Sequence, residues 1–418
     1  MPRARFLSLH VPSLAPTLAA AALAFVGATG VAVAQDAFEP NDLCVDAMPR
    51  PLGLTQGLTL GPDDDFFSTT VAPNSELTVA ATDLSAGALD INLFDAGCAN
   101  LIATSTGASL SYFNCGPAPL SVVIEVPGAA FTDLDYELEL TEFTVVDDVL
   151  EDNDTCSSGA LVAIQTFTTP DLMVTGCDED YYVARLQRAG VQIQVDLLFD
   201  HSQGDIDVEL LPFDTVNGCN PAAPFAQGLS TDDNESVGYV NTTNPTMAEA
   251  VVIRVFMKNG VGFNDYALSV CFGDVQAFPL VGEQVCSGVT NSTGRPSTLC
   301  AVGSNAAADN DLTLYVIDLP TNSVGYFVTA PTRGFAANPG GSLGNLCLDV
   351  PGRYSTNVLQ TFNGFTNDVL DLTNVPVAGG GSTALVVGDT QLWQFWHRDS
   401  SGGMAVSNFS SAIEVTFQ

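Results

Sequence analysis

The feature that most constrains the fold is a pattern of residues that occurs twice, in the same order. Four segments rich in acidic, amide and aromatic residues make up each copy. The pairs are Glu39–Cys44 with Glu151–Cys156, Asp63–Phe67 with Asp178–Tyr182, Asp90–Leu93 with Asp205–Val208, and Tyr136–Leu140 with Tyr266–Val270. The spacing between the copies grows along the chain, as it does when a folding unit is duplicated and its loops lengthen. The sequence therefore predicts two related modules.

The first 34 residues have the composition of a signal peptide. Arg3 and Arg5 give a basic start, Leu18–Val33 is apolar, and Ala32–Ala34 fits the small-x-small rule for signal peptidase. A retained membrane anchor is the alternative, but the apolar stretch is short and ends in the cleavage motif. We expect a mature chain that begins at Gln35, does not insert into a membrane, and is secreted or held at the cell envelope.

The charge balance excludes one large class of partner. The chain has 48 Asp and Glu residues against 11 Lys and Arg, and a formal net charge of −37. Such a surface repels phosphate backbones, so we predict no binding to nucleic acid. Divalent cations are the obvious positive partners. The alternative interpretation is that the charge serves solubility in a salty medium, where screening relieves self-repulsion.

Alternation of apolar and polar residues dominates the remaining sequence. Val191–Leu197, Tyr136–Leu140 and Ile413–Phe417 each place apolar side chains at every second position. This period is typical of half-buried antiparallel strands. Clusters of Gly, Pro, Asn, Asp and Ser separate the strands, and no segment after the signal has a sustained helical period. The predicted fold class is all-β, with tandem jelly-roll-like β-sandwiches.

The repeat sets the predicted domain boundaries. After the signal peptide at 1–34, the first module covers 35–145 and the second covers 146–274. A third module at 275–418 does not share the pattern. Its predicted strands include Leu312–Ile317, Gly325–Val328 and Gln391–Trp396.

The ten cysteines predict disulfides, because export exposes them to an oxidising environment. None has the spacing of a zinc site. Proximity along the chain suggests the pairs Cys156–Cys177 and Cys98–Cys115, with Cys219–Cys271 as a further pair. Cys44 then has no local mate, and a bond to one of the three cysteines in the third module stays open.

The two copies resemble the bacterial pre-peptidase C-terminal domain, a small β-sandwich of exported proteins, over roughly residues 36–273. The resemblance rests on the Glu-x-Asn-Asp segment, the acidic step into an aromatic pair, and the Asp-Ile strand with its Tyr-x-Leu return. Some members of this family bind calcium, and some bind extended polymers such as collagen. The third module resembles a C-terminal β-rich module of secreted bacterial proteins, which has no established activity.

The resemblance implies calcium ligands in both copies. Glu39, Asn41, Asp42 and Asp65 match the ligand positions in the first module, and Glu151, Asn153, Asp154 and Asp180 match them in the second. A further acidic ligand of the family falls on Pro62 and Cys177, so Asp63 and Asp178 would have to substitute from a different position.

The chemistry of these residues supports the same ion, since calcium takes six to eight oxygen ligands. Carboxylates gathered without a cation repel one another. The alternative is that they only form turns on a solvated acidic surface.

The aromatic residues are predicted to be mainly structural. In the pairs Phe66–Phe67 and Tyr181–Tyr182 one ring should face the core. Trp393 and Trp396 should point to opposite faces of a strand, with one in the core and the other partly exposed.

Signs of catalysis are weak. The predicted mature chain has two histidines, His201 in a turn and His397 beside Asp399, and we expect structural roles for both, with His397 pairing with Asp399. No H-E-x-x-H or Walker motif occurs.

These observations favour an exported, non-catalytic binding or structural protein that is stabilised by calcium. Its expected ligand is an extracellular polymer, protein or glycan, or a component of the cell envelope. Two alternatives stay open: an accessory or cryptic hydrolase, and an assembly element of the envelope or matrix with no small ligand. The sequence does not determine the oligomeric state.

Overall fold

A computed structural model describes residues 36–418 except for 85–86, 108, 129–133, 147, 162–166, 187, 215–217, 220–222, 243–248, 261 and 355–357. The predicted signal peptide lies outside the described residues. In the described part of the chain the regular structure is β-strand, with no α-helix, so the predicted all-β fold is confirmed. Four short 3₁₀ helices occur at Cys44–Asp46, His201–Gln203, Ala307–Asp309 and Pro339–Gly341. None of the described helices is long and apolar enough to span a bilayer.

The first module consists of two packed sheets, with strand orders β1-β3-β9-β6-β7 and β2-β10-β4-β5, and with β8 added beside β4. Its strands are β1 (Met48–Pro49), β2 (Gly53–Leu60), β3 (Asp65–Val71), β4 (Ser75–Asp83), β5 (Gly87–Ala88), β6 (Ile91–Asp95), β7 (Leu101–Ser105), β8 (Leu110–Asn114), β9 (Leu120–Val126) and β10 (Leu134–Thr144).

The second module repeats this arrangement, with strand orders β11-β13-β19-β15-β16 and β12-β20-β14-β18, and with β17 beside β15. Its strands are β11 (Ala160–Leu161), β12 (Phe167–Thr175), β13 (Asp180–Leu186), β14 (Val191–Leu198), β15 (Ile206–Asp214), β16 (Gly218–Cys219), β17 (Ala226–Gly228), β18 (Glu235–Val240), β19 (Glu249–Met257) and β20 (Phe263–Asp274). In both modules a short parallel pair, β1 with β3 and β11 with β13, precedes an otherwise antiparallel ladder.

The third module has sheets of order β21-β23-β24-β30 and β22-β34-β33-β25-β28, with β29 beside β25, and two small hairpins, β26-β27 and β31-β32. Its strands are β21 (Leu280–Val281), β22 (Glu283–Cys286), β23 (Thr298–Gly303), β24 (Leu312–Ile317), β25 (Val324–Ala330), β26 (Arg333–Ala336), β27 (Leu346–Leu348), β28 (Gly352–Arg353), β29 (Leu359–Gln360), β30 (Thr366–Leu370), β31 (Val375–Pro376), β32 (Ser382–Thr383), β33 (Thr390–Ser401) and β34 (Met404–Thr416).

The alternating sequence pattern places one row of each strand in a core between the two sheets. In β14 the side chains of Ile193, Val195 and Leu197 are fully buried in the core of the second module. The opposite row of this strand is polar, yet Asp196 is also buried, because the third module covers that face. The backbone N–H of Leu280 donates to the Gln192 side chain there at 3.1 Å.

Five disulfides connect the described cysteines, and the predicted pairs are wrong. The bonds are Cys44–Cys98, Cys115–Cys177, Cys156–Cys219, Cys271–Cys300 and Cys286–Cys347. Hence Cys156–Cys177, Cys98–Cys115 and Cys219–Cys271 do not form, and Cys44 bonds within its own module. Proximity in sequence failed as a guide because sheet pairing brings loops together that are 54 to 63 residues apart in four of the five bonds.

Two of the disulfides join neighbouring modules. Cys115–Cys177 connects the first module to the second, and Cys271–Cys300 connects the second to the third. Non-covalent contacts accompany both bonds. The rings of Phe143 and Phe263 stack at 5.0 Å across the first junction. The three modules are therefore held together covalently as well as by packing.

Candidate functional site

The two leading segments, Glu39–Cys44 and Glu151–Cys156, are attached to the rest of their modules in the same way. The Asn41 carbonyl accepts a hydrogen bond from the N–H of Phe66 at 2.9 Å, and the Asn153 carbonyl accepts one from Tyr181 at 3.0 Å. Each bond fixes the leading segment against the start of the strand that follows the acidic run. The carboxylates of the two elements are thereby brought to one end of each sandwich.

In the second module these carboxylates converge. Asp148, Glu151 and Asp180 each offer an oxygen within 4.8 Å of the others, and so do Glu151, Asp154 and Asp178. Glu151 belongs to both groups, so five carboxylates surround one small region. We call these five residues the acidic cluster. It contains four of the five predicted ligands of this module, namely Glu151, Asp154, Asp178 and Asp180.

Sequence analysis missed Asp148, the fifth member. Its carboxylate accepts hydrogen bonds from the N–H groups of Leu150 at 2.7 Å and Met173 at 3.1 Å, which aim it at the cluster. Asp36 holds the equivalent place in the first module, where its carboxylate accepts from Phe38 at 2.7 Å and Thr59 at 2.9 Å. The repeat could have identified these aspartates, because Asp36 and Asp148 each precede the glutamate of their copy by three residues.

The electrostatics of the acidic cluster are those of crowded, partly desolvated carboxylates. The pKa of the fully buried Asp180 is raised to about 9, chiefly because burial disfavours its charged form, with nearby Glu151 and Asp148 adding repulsion. The Tyr266 hydroxyl donates a hydrogen bond to Asp180, which lowers the pKa of this carboxyl and so partly offsets the effect of burial. Burial is the main cause that raises the pKa of Glu151 to about 7, and the hydrogen bond with Asp154 and the charges of Asp178 and Asp148 act in the same direction. A cation placed among these groups would relieve the repulsion.

Asn153, the remaining predicted ligand of this module, positions the Glu151 carboxylate of the acidic cluster. It is fully buried. With its amide oriented to donate, its nitrogen lies 2.8 and 3.0 Å from the two carboxylate oxygens of Glu151. The N–H of Asn153 also donates to Glu151 at 2.9 Å. Asn153 therefore holds the glutamate in place, and rotation of its amide would present an oxygen to the same region.

The first module has the same parts in a looser arrangement. Burial raises the pKa of Asp65 to about 7, and the Tyr136 hydroxyl donates to it at 2.6 Å. Glu39 accepts from the N–H of Asn41 at 3.0 Å, and burial and Asp42 raise its pKa. Among the described residues of this module, however, no three carboxylates come within 4.8 Å of one another.

One oxygen of the first module stands out. Asn41 is 1 % exposed, and its side-chain oxygen makes no hydrogen bond to another described residue. One carboxylate oxygen of Asp42 is buried and unpartnered in the same way. Buried oxygens without donors are costly unless a donor or cation reaches them. Asp63 contributes to this region through its charge, which raises the pKa of Asp65 further.

The donor set of the acidic cluster is made entirely of oxygens. Carboxylate and amide oxygens are the ligands of hard cations such as Ca²⁺ and Mg²⁺, whereas zinc and copper sites use histidine or thiolate. The chain can therefore hold a hard divalent cation at this place. Within the cluster Asp180 is buried, Asp148, Glu151 and Asp178 are half-buried, and Asp154 is exposed.

The other residues considered for binding or catalysis are mostly structural. Phe67 and Tyr182 are fully buried, and Phe66 and Tyr181 are 8 % exposed, so neither pair lines a surface. Trp393 is fully buried. Trp396 is half-buried and stacks on Tyr326 at 4.8 Å, as the prediction of one core and one partly exposed tryptophan requires.

The two histidines of the described chain have local partners. His397 is fully buried; its ring nitrogens lie 3.2 Å from the Ser297 hydroxyl and 3.1 Å from the Arg398 carbonyl. The predicted pairing with Asp399 is wrong, because the Asp399 carboxylate accepts from the N–H of Ser292 at 3.1 Å instead. His201 lies 3.5 Å from Asp205.

A comparison with protein-family models and with curated proteins finds no match to the chain.

Proposed function

We propose that this chain is a secreted, non-catalytic binding protein whose second module is stabilised by calcium. The observation that carries the proposal is the convergence of five carboxylates on one end of that module. Each module supplies a leading segment and an acidic run, and the sandwich core holds the two elements together. Binding of an extracellular polymer, protein or glycan, is the activity that fits such a stiff, acidic array.

The energetics favour a cation that acts on stability. In the absence of a cation, ionising Asp180 among Glu151 and Asp148 opposes folding, as its raised pKa indicates. A divalent ion bound only by the folded state reverses this effect and stabilises the module by mass action. Calcium fits better than magnesium, because a flexible set of five carboxylates suits its larger and more variable coordination sphere.

The disulfides support a location outside the cytoplasm. Five bonds involve every cysteine of the chain, and such bonds persist in oxidising compartments. Extracellular calcium-binding modules commonly have dissociation constants of about 10⁻⁴ to 10⁻³ M, which match the calcium concentrations met there. The proposed signal peptide supports the same location outside the cytoplasm.

Titration calorimetry of the metal-stripped chain with calcium tests the proposal. We expect at least one binding event with a dissociation constant of about 10⁻⁴ to 10⁻³ M. Magnesium at the same concentrations should bind more weakly. Heat signals identical to those of buffer dilution, with the fold intact by circular dichroism, would refute calcium binding.

A further inference from the structure

An open cleft of about 830 Å³ between the second and third modules has no part in the proposed function. Its walls come from the end of β20, the join that follows it, the outer face of β24, and the turn before β30. Four aromatic rings line it, those of Phe272, Phe278, Tyr315 and Phe365. Its volume lies within the range of small-ligand sites.

The rings on one wall are held in place by a tight hairpin turn. The backbones of Phe362 and Phe365 exchange hydrogen bonds of 2.9 and 3.0 Å. Between them Asn363 and Gly364 have positive φ angles of 50° and 78°, as a two-residue hairpin turn requires. The turn places the Phe365 ring beside that of Tyr315, with centroids 6.4 Å apart and planes at 28°. Tyr315 is anchored in turn, because its hydroxyl donates to the Phe272 carbonyl at 2.9 Å.

Part of the aromatic surface is exposed to the cleft. Phe278 is 60 % exposed and Phe365 is 43 % exposed. Apolar rings held rigidly at a concave surface are unusual unless something packs on them. They offer flat faces to a ligand without a large loss of side-chain entropy.

Polar groups lie among the rings. The half-buried carboxylate of Asp318 and the side chains of Asn367 and Thr313 line the cleft, and none of them makes a hydrogen bond to another described residue. A lipid or other apolar ligand would strip water from these groups without replacing its hydrogen bonds, at a cost for each. The cleft therefore suits a ligand that has both apolar faces and hydroxyl groups.

The charges of the cleft are already balanced by neighbours. Asp274 forms an ion pair with Arg188 and accepts from the N–H groups of Gln276 and Ala277 at 3.0 and 3.2 Å. Arg295 offsets the charge of Asp318. The net charge of −37 repels an anionic ligand. A cationic ligand gains little, because Asp274 is paired with Arg188 and the charge of Asp318 is offset by Arg295. A neutral ligand fits best.

We propose that this cleft binds a neutral oligosaccharide or a stretch of neutral polysaccharide. Sugar rings have C–H faces that pack on aromatic rings and an equatorial edge of hydroxyls that bond to carboxylate, amide and hydroxyl groups. Phe278 and Phe365 supply the packing surface, and Asp318 and Asn367 supply the hydrogen bonds. The inference rests on the proposed function only in treating the chain as a binding protein, since no cleft residue belongs to the acidic cluster.

Affinity electrophoresis in native gels that contain soluble neutral polysaccharides tests the proposal. The probes are a β-glucan, a mannan, a xylan and a galactan, with anionic alginate and gelatin as comparators. We expect retardation of the parent by at least one neutral polysaccharide. Phe365→Ala should weaken that binding about tenfold or more, as loss of an aromatic anchor does. Asn367→Ala, at an exposed position without internal hydrogen bonds, should also weaken it while leaving the melting temperature unchanged.

The matched control is Phe362→Ala. Phe362 is on the same hairpin and is 73 % exposed, but it does not line the cleft, so its removal should leave binding unchanged. Retardation by none of the neutral polysaccharides overturns the proposal. So does retardation that survives both Phe365→Ala and Asn367→Ala, or binding of gelatin alone that Phe365→Ala abolishes. Gels run with a chelator separate the two proposals: sugar binding that persists without calcium supports the cleft even if the acidic cluster binds no ion.

Discussion

Replacing Glu151 by glutamine should remove most of the stabilisation that calcium gives. Glu151 is the one residue common to both groups of the acidic cluster, so the change removes a charge from each. The glutamine keeps an oxygen that can accept from the N–H of Asn153, which in the parent bonds to Glu151 at 2.9 Å. The effect should therefore come from cation binding and charge rather than from a broken scaffold.

The magnitude follows from mass action. At about 10 mM calcium and a dissociation constant of about 10⁻⁴ to 10⁻³ M, the parent gains about 1.4 to 2.7 kcal/mol. For a module of this size that is roughly 5 to 10 °C in melting temperature. Glu151→Gln should lose most of this shift.

In chelator the difference in melting temperature between the variant and the parent should have the opposite sign. The pKa of Glu151 is raised from 4.5 to about 7 in the folded chain, so stability falls as pH rises through this window and the full cost of ionising Glu151 is present at pH 8. At pH 8 without calcium the glutamine variant should melt at or above the temperature of the parent, and in calcium it should melt below the parent.

Differential scanning calorimetry of the parent and variant, in calcium and in chelator, measures both effects. Asp232→Asn is the matched control, because Asp232 is exposed and lies outside the acidic cluster, so its calcium shift should equal that of the parent. A parent without any calcium-dependent shift, or a Glu151→Gln variant whose shift is as large as the parent's, would refute the reasoning.

Two further perturbations address the rest of the molecule. The pKa of the buried Asp196 is raised to about 7, chiefly by burial. From about pH 4 to 7 the folded chain therefore holds a proton that the unfolded chain has lost, so the free energy of unfolding falls as pH rises. Asp196→Asn should flatten that slope by up to about 1.4 kcal/mol per pH unit in urea unfolding at pH 5 and 7, and an unchanged slope would contradict the assignment. Replacing Cys115 and Cys177 together by alanine removes a link between cysteines 62 residues apart and should lower unfolding free energy by about 2 to 4 kcal/mol, with no loss of far-ultraviolet circular dichroism. An unchanged denaturation midpoint would show that packing alone holds the two modules.

The strands were the most predictable part of the structure. The period of two in Val191–Leu197 corresponds to β14, and the Tyr136–Leu140 pattern lies within β10. A strand pattern is local, since alternate residues face one sheet surface whatever the partner strand is. The repeat added long-range information: matching segments occupy matching strands, so the ladder of the second module follows that of the first.

The acidic cluster could be predicted in part. The leading segment and the acidic run were found because each repeats, and Asp148 could have been found by extending the repeat three residues toward the amino terminus. Convergence could not be predicted. The bond that joins Asn153 to Tyr181 has an equivalent between Asn41 and Phe66 in the first module, where no three described carboxylates lie within 4.8 Å of one another.

The inter-module disulfides and the cleft could not be predicted, for one reason. Cys115 bonds to Cys177 across a junction between modules, and the cleft combines Phe272 near the end of β20 with Phe365 in the turn before β30. Such contacts depend on how whole sandwiches dock. Docking buries polar faces, such as the one that contains Asp196, which the alternating pattern predicts to be exposed to water.

The two inter-module disulfides have a consequence for how the protein would withstand proteases. Cys115–Cys177 spans the peptide that leads from β10 to β11, and Cys271–Cys300 spans the one that leads from β20 to β21. A single cut in either connection would leave the fragments tied by sulfur, so nicking would not shed a module. To release a module, cleavage in one of these two connections must be combined with reduction.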